Sequence, residues 1–130
     1  SPLRNLSDVD GAISRLLKQR APAVITVCRT EQLVFTQKIN GALRLESSTR
    51  FLSSSNRQEL PPTYKLDGPM VSVVRTGVFL KKKSFMTQGT LGYEVPRWRA
   101  VDLDEPQDVL VGELLFRNRC RIEQKLKHFR

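Results

Sequence analysis

The sequence predicts an α/β domain spanning residues 1–130, and three observations carry that prediction. A helix-patterned segment passes through a short proline-containing turn into a continuously apolar, β-branched run at residues 23–29. Such runs mark strands buried on both faces of a helix-flanked sheet. Asn40-Gly41 separates two strand-like runs, a strong hairpin signal, and a helix opens around Pro106 with a capping residue before it.

The elements follow in order. Residues 7–20 read as the first helix, with Ser7 as its cap and Asp8 and Asp10 in a first turn where the helix dipole favours acids. Val9, Ile13, Leu16 and Leu17 recur at helical spacing as one apolar stripe, and Pro22 follows the end. The buried strand 23–29 comes next. Residues 33–39 and 42–46 form the hairpin around Asn40-Gly41. The serine-rich stretch 47–62, closed by Pro61-Pro62, reads as a long loop. Residues 70–74 read as a buried-type strand. Residues 77–86 read as a short helix, with Val78, Phe79, Phe85 and Met86 available for packing. Asp104 is placed to cap the last helix, with Pro106 early in it and Gln107 three after the cap. Val109, Leu110, Leu114, Leu115 and Phe116 give that helix a broad apolar face.

The 130 residues suffice for one domain with a modest core. Hydrophobic residues make up 39% and charged residues 27%, values that fit a globular protein. No apolar run approaches the ~20 residues that span a bilayer, and no charged-then-apolar leader opens the chain. A soluble, cytoplasmic protein with no membrane partner is the expectation. Cys28 and Cys120 form no metal-ligand cluster and the only histidine is His128, so a zinc site is not expected. Two free, mostly buried thiols are expected, with a disulfide between them left open.

A net charge of +9 points to anionic partners. Residues 117–130 carry six basic side chains against one acid, Glu123, and Lys81, Lys82 and Lys83 form a second cluster. Phe129 is the one aromatic in the basic tail, so base stacking is poorly supported and nucleic acid is not the expected partner. The run reads instead as a solvated face.

Three segments carry candidate chemistry. Asp102-Leu103-Asp104 lies between an extended stretch and a helix. A turn there can bring both carboxylates to one Mg²⁺, a hard cation that takes oxygen ligands and keeps waters. The other reading makes Asp104 a helix cap and Asp102 a surface acid. In the turn 64–69, Gly68 permits close backbone approach and Lys65 offers a point charge to a carboxylate or phosphate; an ordinary turn with an exposed lysine fits equally. Residues 1–4 form a strand-to-helix loop, where open α/β sheets bind ligands. Arg4 there can reach an anion or serve as a surface charge. Trp98, between Arg97 and Arg99, suits burial or an interface better than stacking on a ligand.

Taken together and in order, these segments resemble the N-acylneuraminate (sialic-acid-type) cytidylyltransferases, in their C-terminal portion. Ser1-Pro2-Leu3-Arg4 before a helix with Asp8-Val9-Asp10 is similar to that family's TSPLR…DID segment. Residues 23–27 match its next buried strand. Lys65-Leu66-Asp67-Gly68 resembles its R-x-N-G turn, and Asp102-Leu103-Asp104-Glu105-Pro106-Gln107-Asp108 resembles its D-I-D-T-x-x-D metal motif.

The resemblance implies a partial Rossmann-like nucleotidyltransferase sheet, with a hairpin and loop at 30–64 and a dimerisation segment at 75–98. It implies Asp102 and Asp104 as Mg²⁺ ligands, and Arg4, Lys65, Asp67 and Gly68 as substrate-binding residues. It places residues 81–93 near a partner subunit's active site. The implied reaction is attack of a sugar-acid hydroxyl on the α-phosphate of CTP, giving a CMP-sugar and pyrophosphate. The sequence departs from the family in three ways. Lys65 stands for an arginine, which removes bidentate carboxylate recognition. Asp67 stands for an asparagine. The family's glycine- and lysine-bearing nucleotide loop is not found in the 130 residues. Two functions follow: a catalytic module completed by a nucleotide loop from elsewhere, or a non-catalytic dimerising remnant. A homodimer or strand-exchanged oligomer is expected of an exposed sheet edge.

Overall fold

The computed structural model describes residues 2–30, 35–37, 43–45, 62–66 and 71–127. It is a mixed α/β structure. The chain divides into two compact units, one of Ser1–Cys28 with Leu66–Arg130 and one of Arg29–Lys65.

In the first unit, helix α1 (Leu6–Lys18) enters through an asparagine. Asn5 accepts the Ser7 N–H at 3.1 Å, and the Asp8 carboxylate accepts the Asn5 N–H at 3.3 Å. This reciprocal box satisfies donors that every helix start leaves open. The cap is therefore Asn5 and not Ser7, which is the second residue of the helix. At the other end Arg75 donates through Nε to the Ala21 carbonyl at 2.9 Å and through Nη2 to the Leu16 carbonyl at 3.3 Å. A cation thus meets the carbonyls at and just beyond the C-terminal end of the helix, where the dipole favours it.

Strand β1 (Ala23–Thr30) lies at the centre. Ala23, Val24, Ile25, Thr26 and Cys28 are buried, so both faces are covered, as its composition predicts. Two short strands of the second unit, β2 (Phe35–Gln37) and β3 (Leu43–Leu45), pair antiparallel with Thr36 opposite Arg44. This is the expected hairpin; Asn40 and Gly41 themselves lie outside the described residues. Strand β4 (Thr63–Lys65) pairs with β1, and the Thr63 hydroxyl donates to the Thr30 carbonyl.

Strand β5 (Ser72–Val74) runs antiparallel to β1, Val24 facing Val73. The buried Thr26 extends this ladder: its hydroxyl donates to the Val71 carbonyl and accepts the Val71 N–H at 3.0 Å. A buried polar side chain is thereby fully used. Helix α2 (Thr76–Lys82) is shorter than expected and stops at Lys83, whose φ of 53° lies in the left-handed region. Strand β6 (Leu91–Glu94) then pairs with β1 in parallel, Ile25 facing Gly92. A single 3-10 turn over Arg97–Arg99 leads to the long helix α3 (Pro106–Lys127).

The core of this unit gathers Ala12 and Leu16 of α1, Val24 and Cys28 of β1, and Val71, Val95 and Ala100. The sequence stripe is only partly right: Leu16 is buried, but Ile13 and Leu17 are 40% and 59% exposed, and Ala12 takes the inward place. Cys28 is buried and Cys120 exposed, and both are free thiols. Among the described residues no helix is long and apolar enough to cross a membrane.

Gly11 lets Tyr93 approach α1. A Cβ there would stand 2.5 Å from Tyr93 Cζ and 2.8 Å from Cε2. Helix propensity alone favours Gly11→Ala by about 1 kcal/mol. Overpacking a rigid ring costs roughly 1–3 kcal/mol. The variant is expected to be the less stable protein in urea unfolding; a raised midpoint would contradict this packing.

Candidate functional site

The acidic segment lies between the 3-10 turn and α3. Asp102 is half-buried and its Oδ1 accepts the Leu103 N–H at 3.2 Å. Asp104 is exposed, and its carboxylate makes no hydrogen bond among the described residues. The helix start is held differently from the sequence expectation. Because α3 begins at Pro106, Glu105 is the flanking residue and Asp108 is the third helical one. Asp108 Oδ2 accepts the Glu105 N–H at 2.8 Å and the Asp104 N–H at 3.2 Å. Asp108 thus does the capping by reaching back, and the carboxylate of Asp104 is left over. Asp108→Ala should cost about 0.5–2 kcal/mol while Asp104→Ala costs close to nothing. Denaturant midpoints that reverse this order would restore Asp104 as the cap.

The first loop meets this segment on α3. Gly112 is the buried residue of that helix among those described. A Cβ there would stand 3.1 Å from Leu103 Cδ2, 3.8 Å from Pro2 Cγ and 4.0 Å from Val101 Cγ1. The absence of a side chain at Gly112 therefore lets the loop at residues 2–5 and the acidic segment close on one helical turn.

A buried ion pair ties the same parts together. Arg99 donates through Nη1 and Nη2 to the two carboxylate oxygens of Asp8, at 2.6 and 3.0 Å. Their side chains are only 12% and 4% exposed. The forked geometry fixes the start of α1 to the turn that precedes Asp102. Sequence order gives no hint of this pair, whose partners stand 91 residues apart.

The candidate residues are distributed as follows. Arg4 is exposed on the loop that packs with the acidic segment. Lys65 is exposed on β4 in the second unit. Asp67 and Gly68 lie outside the described residues. Among the described residues no group of three or more His, Cys, Asp and Glu is placed to hold a metal ion. Two carboxylates remain a suitable donor set for Mg²⁺, which completes its shell with water and phosphate oxygens.

A groove that sequence reasoning missed runs beside the loop. One lobe, of about 390 Å³, lies between residues 2–6, Trp98 and the α3 face of Phe116, Arg119 and Glu123. A second, of about 440 Å³, shares Asn5, Trp98, Arg99 and Glu123 with it and ends at Leu126 and Lys127. The available signal was the three-to-four spacing of Phe116, Arg119, Glu123 and Lys127 along one side of α3. No protein-family model matches the chain, and no curated protein matches it in sequence.

Proposed function

We propose that this chain is a nucleotidyltransferase module of the CMP-sugar-acid synthetase kind, which transfers CMP from CTP to a sugar acid with Mg²⁺. The observation that supports it is the closure of Pro2, Val101 and Leu103 on Gly112, which sets the anion-facing loop against the acidic segment. In the sequence resemblance both segments carry site residues, Arg4 in one and Asp102 and Asp104 in the other, although they are about a hundred residues apart in the chain.

In this reading the mixed four-stranded sheet, with α1 packed on β5 and β6, is part of a Rossmann-like sheet. Asp102 and Asp104 hold the cation, whose charge offsets that on the phosphates of CTP. Arg4 contributes a positive charge at the loop, and Lys65 offers one to a carboxylate without the fork of an arginine. Asp8 and Arg99 act as positioning residues, because their pairing fixes the turn before Asp102. Rate enhancement then rests on positioning and charge complementarity. The sugar hydroxyl attacks the α-phosphorus and pyrophosphate leaves.

A second reading, a non-catalytic dimerising module, draws on a different observation. Leu80, Phe85 and Met86 are 61%, 48% and 57% exposed beside Lys81, Lys82 and Lys83. Apolar side chains grouped in this way mark interaction surfaces. Dimerisation through α2 and the following turn belongs to both readings, and turnover separates them. The test is CMP-sugar formation by the full-length protein with CTP, Mg²⁺ and a panel of sugar acids. Product with any member supports the synthetase; no product with all of them leaves the dimerising module.

A further inference from the structure

We propose that the groove between the loop at residues 2–6 and the second half of α3 binds a small monoanion or dianion bearing a flat ring, of the size of a nucleoside monophosphate. The site uses none of the acidic segment, and of the substrate-binding candidates it shares only Arg4.

Size is the first argument. A lobe of about 390 Å³, continued by one of about 440 Å³, falls in the range of ligand pockets. Charge is the second. Arg4 and Arg119 line the first lobe and Lys127 the second, against one acid, Glu123. The Arg99 guanidinium adds nothing to this balance, because Asp8 neutralises it. Arg4 is exposed and makes no hydrogen bond or ion pair among the described residues.

Arg119 is partly ordered by its own helix. It stands 4.3 Å over the Phe116 ring, and its Nη1 donates to the Phe116 carbonyl at 3.0 Å. Nε and Nη2 stay available to an incoming anion. A guanidinium held over a ring loses less freedom on binding than a solvated one. Trp98 is half-buried and borders both lobes, so it offers a planar surface to either. Glu123 is the one acid of this lining and disfavours a highly charged ligand, so a single phosphate suits it better than a triphosphate.

The full-length protein is titrated with CMP and AMP, with inorganic phosphate and cytidine as control probes. Trp98 is the only tryptophan of the 130 residues, and the difference between wild type and Trp98→Phe isolates its fluorescence. Cys120 lines the first lobe and Cys28 is buried, so alkylation mapped by mass spectrometry gives a second readout with an internal control. The nucleotides are expected to change the Trp98 signal saturably and to slow alkylation of Cys120 alone. Arg4→Ala with Arg119→Ala should weaken both effects about tenfold or more, as for lost charge-assisted hydrogen bonds. Glu123→Gln should strengthen them. Asp102→Asn with Asp104→Asn should leave them unchanged, so failure here is distinct from failure of the synthetase reading. Absence of a saturable signal at millimolar nucleotide overturns the proposal. So does binding that persists in the arginine double variant, or cytidine binding as well as CMP.

Discussion

Arg99→Ala is expected to lower the unfolding free energy by about 3–5 kcal/mol, because truncating one partner strands a buried charge. The Asp8 carboxylate is only 4% exposed, and without Arg99 it keeps a single 3.3 Å hydrogen bond from Asn5. Losses of this size are a large share of a typical domain's stability of about 5–15 kcal/mol. Arg99→Lys should recover only part of it, since an ammonium cannot make the two parallel bonds seen at 2.6 and 3.0 Å. Asp8→Ala should cost a comparable amount, and it also removes half of the capping box. The double variant should cost far less than the two singles together, a coupling that urea unfolding of the four proteins measures. A single-variant loss below about 1 kcal/mol would mean that the pair is solvated and that the turn before Asp102 is held by something else.

The second large effect concerns activity. Asp102→Asn with Asp104→Asn is expected to reduce Mg²⁺-dependent pyrophosphate release from CTP by the full-length protein by about a thousandfold or more, in keeping with loss of a principal charge-stabilising element. Stability should hardly change. Asp104 is exposed, and Asp102 is half-buried with a hydrogen bond only to its neighbour's N–H. This separates the acidic pair from Asp8, whose loss is expected to lower stability first. Folded variants with wild-type turnover would remove both carboxylates from the mechanism. The distinction from Asp108 also matters. That carboxylate lies four residues from Asp104 but is committed to two backbone N–H groups.

How far the sequence could be read depends on the range of the interactions. The strand Ala23–Thr30 was legible because burial on both faces demands a continuous apolar run, and the break at Pro22 marks its start. The β2–β3 pairing was legible from the two runs that flank Asn40-Gly41. Strand β6 was not, because Gly92 and Glu94 dilute its strand pattern and its partner, β1, lies far back in the chain. Cap positions shifted by one or two residues for a local reason: Asn5 competes with Ser7, and Asp108 with Asp104, and only the geometry chooses. On α1 the stripe misjudged Ile13 and Leu17 because the sheet covers a narrower arc than the apolar residues span. The acidic segment and the first loop were legible as types of residue. Their meeting at Gly112 was not, and neither was the Asp8–Arg99 pair. Trp98 was read toward burial or an interface, and it is half-buried at the border of a groove.

The proposed synthetase activity requires the Asp102 and Asp104 carboxylates to converge on one divalent cation. Electron paramagnetic resonance of Mn²⁺, a spectroscopic substitute for Mg²⁺, titrated into the full-length protein with CTP present, reads that directly. Saturable loss of the free-ion signal is expected, with an affinity at least about tenfold lower when both residues are changed to asparagine. Equal Mn²⁺ affinity in the two proteins would contradict it.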